Sequence, residues 1–382
     1  MKVVFLLQDT RTLYGAEQAT IRLIAGLTAA GVVVRVLLLR ELRLGDGRSP
    51  LADAFGRLVS VETIPVEGRV SREAVRRIRE VMAREQADVL HSSGYKADWH
   101  AVWASHGDHF PVVSTVHGWL FRWQLKERLF QSLNIRALRK CSRVIVLCNF
   151  YERYLRRRGF SPLHLAHIPS GVRADDIATA AEAEKRWTTP GAVFTFGMLG
   201  RLSSEKNHLL LLRAAARLAR EREHCPQSWR ILVAGEGALS GRLQRQARRL
   251  GVADRVEWAS WMPSADFFRR VHVLVQCSRV ENQPLSILEA MAWKRPVLAT
   301  RVGGLPELVV AGETGWLVGK TSVRQLAQAM RECLISPDKA RAAGERGRER
   351  LARDYPYSRM IEDHIGLYDA ERHSWRSARI PG

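Results

Sequence analysis

The sequence of 382 residues lacks the patterns that identify several common protein classes. It has five Cys and no Cys-x-x-Cys pair, which argues against a disulfide framework and against a Cys-rich zinc site. No Asp-x-Asp pair occurs either, so a divalent metal held by carboxylates has no obvious site. We therefore expect reduced thiols and a function that needs no metal or cofactor.

Long hydrophobic runs are also missing. The most apolar window, residues 32–39, is interrupted by Arg35 and is too short to span a bilayer. The first residues, MKVVFLLQDT, turn polar after one short apolar run, which is typical of a buried strand and not of a secretory signal. We expect a cytoplasmic protein, either free or peripheral at the inner face of a membrane.

Acidic residues are scarce relative to basic ones. The chain has 60 Lys and Arg against 39 Asp and Glu, a formal net charge of +21. Such a surplus indicates an anionic partner, although the strong bias toward Arg reflects genome composition as well as function. Nucleic acid is not expected as that partner, because no DNA- or RNA-binding motif is present.

The basic residues are concentrated in residues 119–160, which hold eleven cations and two acids. Leu125, Leu129 and Leu133 recur every four residues and predict an apolar stripe on a helix. The aromatic residues interleaved with the cations are Trp119, Phe121, Trp123 and Phe130. A basic amphipathic helix of this kind can lie on an anionic membrane, and an ordinary core-packed helix with a solvated Arg face is the alternative. Both interpretations remain open.

Short apolar runs alternate with helical patterns along the chain, which predicts α/β architecture with parallel sheets. The predicted strands are KVVFLL, VVVRVLLL, DVLHS, PVVSTVH and RVIVLC, then AVFTFGMLG, WRILVAG, RVEWAS, VHVLVQCS, RPVLATR and GWLV. Residues 174–191 are small, charged and without a strong apolar period, and we interpret them as a linker. We predict two Rossmann-like domains facing a cleft, residues 1–175 and 190–356, with a C-terminal helix (357–382) packing back on the first.

Several loops after predicted strands carry candidate site residues. Gly200 allows close backbone approach, and Arg201 and Lys206 place two cations before a helix, where they suit a diphosphate. Solvated loop charges are the alternative. Gly235 opens GEGALSG, whose third glycine arrives one residue too late for a dinucleotide fingerprint, so we interpret it as a tight turn with amides facing a ligand. Gly15, in TLYGAEQA, marks a third turn of this kind.

The stretch ENQPLSILEAMA places Glu281 before a predicted helix and Glu289 within it. Proline disfavours helical geometry in the residue before it, so the helix is predicted to begin at Pro284. Glu289 then lies roughly 7.5 Å along the axis from the helix start. The two acids bracket a helix N-terminus that favours an anion, a spacing that suits a ligand with hydroxyls at both ends and a diphosphate between them. A nucleotide-sugar is such a ligand.

These motifs resemble those of the retaining glycosyltransferases of family 4, which share the two-domain GT-B architecture. The resemblance covers nearly the whole chain and is most specific from Gly200 to Val318. Its second-half segments are GRLSSEKN, ENQPLSILEAMA and KRPVLATRVGGLPELVVAGETGWLV, and its weaker first-half segments are GAE, VVSTVHG, VIVLCNFYERYL and HIPSGV.

The resemblance implies a role for each donor-side residue. Arg201 and Lys206 would bind the donor diphosphate and stabilise the leaving group. Glu281 would hold hydroxyls of the donor sugar, and Glu289 those of the ribose. The backbone at Gln283, Pro284 and Leu285 would meet the sugar or diphosphate at the helix start.

On the N-terminal side, the resemblance implies that Gly15 lets a loop reach the phosphate and that His117 faces the transferred sugar and acceptor. Three positions depart from the family pattern: Tyr14 and Asn282 replace common glycines in the phosphate loop and beside Glu281, and Ser260 replaces one near the base pocket. Asn282 is therefore a candidate determinant of donor choice.

The expected function is transfer of a sugar from a UDP- or GDP-sugar to a glycan or lipid-linked acceptor, as in lipopolysaccharide or exopolysaccharide biosynthesis, with retention at the anomeric carbon. The alternatives are a nucleotide-sugar epimerase of similar architecture and a non-catalytic basic binding protein.

Overall fold

The computed structural model describes residues 1–378 except residues 46, 48, 69, 107–108, 120–124, 190 and 222–227, and it does not describe the side chains at 44, 125–127 and 176. Several predicted features therefore lie outside the described residues, including Phe121, Trp123 and Cys225. The chain divides into two compact units, residues 1–170 with 358–382, and residues 171–357.

The N-terminal unit is built on a seven-stranded parallel sheet in the order β3-β2-β1-β4-β5-β6-β7. Its strands are β1 Lys2–Gln8, β2 Val33–Glu41, β3 Ser60–Val66, β4 Val89–Ser93, β5 Val112–Val116, β6 Arg143–Val146 and β7 Leu165–His167. The five strands predicted from apolar runs are all present. The edge strands β3 and β7 were not predicted, because β3 is SVETIPV, with polar residues and a Pro that only an edge tolerates, and β7 has three residues.

Helices cover this sheet. They are α1 Gly15–Ala29, α2 Pro50–Gly56, α3 Arg72–Glu85, α4 Tyr95–Ala104, α5 Leu125–Leu138 and α6 Asn149–Arg156. The last helix of the chain, Tyr357–Ser377, belongs to this unit from residue 358 onward. Two contacts attach it to the sheet: the buried Tyr368 hydroxyl lies 2.5 Å from His91 Nδ1, and Arg143 Nε donates to Glu371 Oε1 at 2.6 Å in a partly buried ion pair.

The second unit contains a six-stranded parallel sheet in the order β10-β9-β8-β11-β12-β13. The strands are β8 Phe194–Leu199, β9 Trp229–Ala234, β10 Val256–Ala259, β11 Val273–Gln276, β12 Val297–Thr300 and β13 Gly315–Val318. All six were predicted, since β8, β9, β11 and β12 are nearly continuous buried apolar runs, the form that parallel strands with both faces covered take.

The helices of the second unit surround its sheet. They are α7 Ala174–Ile177, α8 Ala180–Thr188, α9 His208–Arg220, α10 Ser240–Arg249, α11 Ser264–Arg270, α12 Leu285–Ala292, α13 Leu305–Leu308, α14 Val323–Ile335 and α15 Pro337–Asp354, and we number the final helix of the chain α16. Short 3₁₀ turns occur at Leu42–Leu44, Pro162–His164 and Ala253–Arg255. No described helix is both long enough and apolar enough to cross a membrane.

The interpretation of residues 174–191 as a linker is wrong. They form α7 and α8, and Thr179 caps α8 by accepting a hydrogen bond from the amide of Glu182 at 3.2 Å. The apolar period of α8 is weak because the helix buries little beyond Ala183, whose carbonyl accepts a 2.7 Å hydrogen bond from Arg295. This segment is therefore part of the folded second unit.

Two buried glycines on α15 test how tightly this unit is packed. A Cβ at Gly344 would lie 2.1 Å from the Lys294 carbonyl oxygen, whereas one at Gly347 would lie 3.6 Å from the nearest atom, in Met291. We expect Gly344→Ala to lower the free energy of unfolding by about 1–3 kcal/mol, because backbone must move to admit the methyl group. The matched variant Gly347→Ala should be neutral or up to about 1 kcal/mol more stable. Urea denaturation compares the two, and equal stabilities would contradict the packing argument.

Candidate active site

The candidate site of the second unit lies at the carboxyl ends of β8 and β11. The loop after β8 carries Gly200, Arg201 and Lys206, and the loop after β11 leads to Glu281 and then to α12. Because β8 and β11 are parallel neighbours in the sheet, their following loops emerge at the same edge. Ligands of open α/β sheets bind at this edge.

Glu281 is held through one carboxylate oxygen. Its Oε1 accepts hydrogen bonds from Lys206 Nζ at 2.5 Å, Ser278 Oγ at 2.6 Å and Gln276 Nε2 at 2.8 Å. Among the described residues no donor contacts Oε2. The carboxylate is thus fixed in orientation while its second oxygen remains able to accept a hydrogen bond from a ligand.

A further layer of contacts fixes these partners. Thr300 Oγ1 donates to the Ser278 carbonyl at 2.6 Å, and the Gly304 amide donates to the Glu281 carbonyl at 3.3 Å. Gly303 has a φ of +53°, and a Cβ there would lie 1.8 Å from the Glu281 carbonyl oxygen. Only glycine fits at Gly303, so the backbone of the carboxylate loop rests directly on the loop after β12.

Gly200 and Gly235 have a packing role. Gly200 (φ +145°) and Gly235 (φ +142°) lie at adjacent strand ends, and a Cβ on Gly235 would lie 2.1 Å from the Gly200 carbonyl oxygen. Their amides donate to Ala234 and Ala259 carbonyls at 2.9 and 3.1 Å. The Gly235 amide is therefore already paired with the protein, and a ligand contact by other amides of this turn stays a prediction. The glycines instead bring the two loops together, and the Lys206 side chain passes 3.5 Å from the Cβ position of Gly200.

The opening of α12 is buried. Asn282, Gln283 and Leu285 are each less than a tenth exposed, and Glu289 is 7% exposed, which rules out a solvated surface carboxylate. Pro284 has extended backbone and caps the helix, so the helix begins at Leu285, one residue later than predicted. Arg201, by contrast, is exposed.

The remaining predicted residues, Gly15 and His117, belong to the N-terminal unit. Gly15 is the first residue of α1, and a Cβ there would meet no atom within 4 Å, so packing within this unit does not require glycine. His117 directly follows β5 and lines a pocket of about 170 Å³ together with Ala16 and Glu17 of α1. Burial lowers the pKa of His117 to about 4, so its ring is neutral at neutral pH.

The same pocket contains a residue that sequence reasoning missed. Asp98 of α4 is 3% exposed and accepts hydrogen bonds of 2.7 Å from Ser92, Ser114 and Asn134. Burial raises the pKa of this carboxyl group, against the opposing effect of the three donors. In the sequence Asp98 resembles an ordinary acid in the first turn of a helix, and nothing local indicates its burial.

Comparison with protein families matches both halves of the chain. The family described as Glycosyltransferase Family 4 matches residues 14–176, and the family described as Glycosyl transferases group 1 matches residues 180–350.

Individual relatives agree with these matches. The GDP-mannose-dependent alpha-(1-6)-phosphatidylinositol monomannoside mannosyltransferase of Mycolicibacterium smegmatis is 30% identical over 62% of this chain and 64% of its own length. The alpha-D-kanosaminyltransferase of Streptomyces kanamyceticus is 26% identical over 68% and 70% of the two chains. The D-inositol 3-phosphate glycosyltransferase of Streptomyces coelicolor is 32% identical over 57% and 49%. The chain thus spans about half to 70% of the length of these curated relatives.

Solved structures resemble the whole fold. Anabaena Alr3699/HepE in complex with UDP has a TM-score of 0.80 at 19% identity, covering 97% of this chain and all of that one. Sucrose-phosphate synthase from Thermosynechococcus elongatus has a TM-score of 0.81 at 22% identity, covering 98% and 100%. The fold is therefore GT-B, with two parallel-sheet α/β units.

His208, beside Lys206 at the start of α9, generates a pH prediction. It is 2% exposed, neither ring nitrogen has a hydrogen-bond partner among the described residues, and burial lowers its pKa to about 4. Between about pH 6.5 and pH 4 the unfolded chain binds a proton at this position that the folded protein does not, so stability falls as the pH falls through this window.

We expect His208→Leu to reduce this loss, by roughly 1–3 kcal/mol at pH 5 relative to pH 7.5. Urea denaturation at the two pH values measures the difference. Leu209→Ala, on the same helix, provides the control, since it changes packing without removing an ionisable group. An equal pH dependence in wild type and His208→Leu would show that His208 is not held neutral.

Proposed function

The chain belongs to the family 4, group 1 glycosyltransferases, and we propose that it transfers a sugar from a nucleotide-diphosphate sugar to a hydroxyl group of an acceptor, with retention at the anomeric carbon. The observation that carries the proposal is the contact between Lys206 and Glu281, which joins a cation and a carboxylate at the carboxyl edge of the second sheet.

The donor chemistry follows from these two side chains. The Lys206 ammonium has three protons and uses one on Glu281, so two remain for phosphate oxygens. Positive charge on Lys206 and the neighbouring Arg201 would stabilise the nucleotide diphosphate as it leaves, without a requirement for a metal ion. Glu281 Oε2 would accept a hydrogen bond from a donor-sugar hydroxyl and hold the anomeric carbon near the diphosphate.

Glu289 supports the other end of the same ligand. It follows Glu281 in the chain, lies within α12, is buried, and would accept hydrogen bonds from ribose hydroxyls. Relatives of this chain have names or bound ligands that point to such donors: one is GDP-mannose-dependent, and Anabaena HepE was solved with UDP-glucose.

The N-terminal unit supports the acceptor side. Its pocket is lined by hydroxyl, amide and carboxyl groups beside the rings of His117 and Trp119, a composition that suits a polyhydroxyl compound. We propose a glycan or lipid-linked acceptor of the cell envelope, as in lipopolysaccharide or exopolysaccharide biosynthesis. One relative acts on a phosphatidylinositol monomannoside according to its name.

Nucleotide binding tests the donor site. In a thermal-shift panel of UDP, GDP, ADP and their sugars, one base series should raise the melting temperature by mass action. Glu281→Gln should retain that shift but lower turnover about 100-fold or more, because an amide nitrogen that cannot accept a hydrogen bond replaces the ligand-facing Oε2 and the negative charge is lost. Lys206→Ala should weaken nucleotide binding itself. Exposed Glu313→Gln is the control and should match wild type.

Product analysis separates the alternatives. An epimerase would convert the nucleotide-sugar without an acceptor. A non-catalytic binding protein would form no product and would bind its ligand equally well after Glu281→Gln and after Lys206→Ala. If no nucleotide shifts the melting temperature, the donor-site proposal is wrong.

The basic segment 119–160 is a proposed contact with an anionic membrane. Residues 120–124, at its start, lie outside the described residues. The described part presents exposed cations at two helix ends that meet, since Arg139 donates to the Arg158 carbonyl at 2.6 Å. The buried face of α5 lies within residues 134–138, whereas Leu129 is 55% exposed. The predicted leucine stripe therefore does not pack wholly into the core, which favours the surface interpretation.

Vesicle flotation tests this contact. Purified protein should float with phosphatidylglycerol vesicles at low salt, and less so at high salt because the attraction is electrostatic. The double variant Arg156→Glu/Arg157→Glu should lose most of the binding. Arg248→Glu/Arg249→Glu on α10 changes net charge equally at exposed positions of the other unit and should retain it. Equal loss in both variants would assign the binding to net charge alone.

A further inference from the structure

We propose that Asp98 is a positioning residue that fixes the segment carrying His117, acting through Asn134 and Trp119. This inference rests on the proposed function insofar as His117 faces the acceptor. The structural part of the inference concerns only the N-terminal unit and can be tested without turnover.

The first part of the connection anchors Asp98 to the sheet. Its Oδ1 accepts hydrogen bonds of 2.7 Å from Ser92 Oγ, on β4, and from Ser114 Oγ, on β5. Both serines are fully buried, so water does not compete for these donors. The carboxyl group is thereby fixed against the two strands whose carboxyl ends line the pocket.

The second part of the connection runs from Asp98 to the loop after β5, which carries His117 and Trp119. Its Oδ2 accepts a 2.7 Å hydrogen bond from Asn134 Nδ2, and Asn134 Oδ1 accepts a 3.0 Å hydrogen bond from the indole Nε1 of Trp119. Asn134 is 4% exposed and Trp119 is 3% exposed. Each group in this series has one partner on either side, so the orientation of the Asn134 amide is determined by Asp98.

Trp119 is fixed at its other end as well. Its backbone amide donates to the Tyr151 hydroxyl at 3.1 Å, and its ring lies 5.5 Å from the rings of Tyr151 and Tyr154. Only Gly118, with a φ of +111°, separates Trp119 from His117. Since glycine itself imposes little conformational preference, the position of His117 depends on β5 before it and on Trp119 after it.

Asp98 lines the same pocket as His117, but its contacts favour an indirect role. Both of its oxygens are already engaged by protein donors, and no described Lys or Arg lies among the residues that line the pocket. A buried carboxylate surrounded by three neutral donors is costly to keep, since burial disfavours its charge. The arrangement does, however, determine which group donates in each hydrogen bond: Asn134 donates to Asp98, and its oxygen accepts from Trp119.

The donor and acceptor pattern allows a sharp test by exchange of the two side chains. In Asp98→Asn, the new amide nitrogen faces the Asn134 amide nitrogen, and if Asn134 flips, its nitrogen faces the indole N–H instead. One hydrogen bond is lost in either arrangement. If the new amide at position 98 flips instead, its nitrogen faces Ser92 and Ser114, and both buried hydroxyl protons lose their acceptor. In Asn134→Asp, two carboxyl groups face each other.

The double variant Asp98→Asn/Asn134→Asp restores the pattern with the direction of the central bond reversed. The amide introduced at position 98 would accept from both serines through its oxygen and donate through its nitrogen to the carboxylate introduced at position 134. That carboxylate would still accept from Trp119. Trp119→Phe provides an independent variant, because it removes only the final donor and leaves all three hydrogen bonds of Asp98 intact.

The readout that requires no turnover is the ring NMR signal of His117 in histidine-labelled protein, assigned with His117→Gln. We expect the signal to move in Asp98→Asn and in Trp119→Phe and to return toward its wild-type position in the double variant. In the same proteins, kcat/KM for the acceptor should fall about tenfold or more and recover in the double variant, while nucleotide affinity stays within about twofold.

Three results would overturn the proposal: an unmoved His117 signal in folded Asp98→Asn and Trp119→Phe, failure of the folded double variant to restore it, or parallel loss of nucleotide affinity. A purely structural role for Asp98 predicts lower stability with an unmoved His117 signal. If wild type transfers no sugar, the proposed function fails, while the NMR comparison still decides the positioning role.

Discussion

A single carboxylate oxygen organises the candidate site of the second unit. Glu281 Oε1 receives hydrogen bonds from Lys206 in the loop after β8, from Gln276 at the end of β11 and from Ser278 just beyond it. The loops around these donors approach at backbone distance, since a Cβ at Gly235 or Gly303 would lie 2.1 or 1.8 Å from a carbonyl oxygen, and Gly200 has a φ of +145°. The glycines and the carboxylate therefore form one interdependent arrangement, in which packing determines where the charge lies.

The N-terminal unit uses a different device at the corresponding edge of its sheet. There the ordering group is the buried carboxyl of Asp98, and the connection to the loop after β5 runs through side chains of α5 and Trp119. Backbone close contacts are rigid but admit only glycine. Hydrogen-bonded side chains instead fix which group donates and which accepts along the series. This order is lost when a substitution turns one donor into an acceptor.

This difference explains how much the sequence could predict. The central strands were predictable because buried parallel strands are continuous apolar runs, and Lys206, Glu281 and Glu289 were identified because each lies in a short motif beside a strand or helix boundary. Edge strands β3 and β7 were missed because an edge carries little apolar signal. Gln276 and Ser278 were missed because polar residues at a strand end look like ordinary loop, and Asp98 because its partner Asn134 is distant in sequence.

The same contrast accounts for the uneven strength of the family motifs along the chain. In the second unit, glycines and charged residues that must meet are constrained by main-chain contact, so few substitutions preserve the site and the motifs stay recognisable. In the N-terminal unit, the proposed positioning depends on hydrogen-bonded side chains, such as Asn134, which donates to Asp98 at 2.7 Å. If this pocket binds the acceptor, as we propose, altering a pair of side chains could change the acceptor while the sheet beneath remains the same. Recognition of the donor is then expected to be the more constant property of such a protein, and recognition of the acceptor the more variable one.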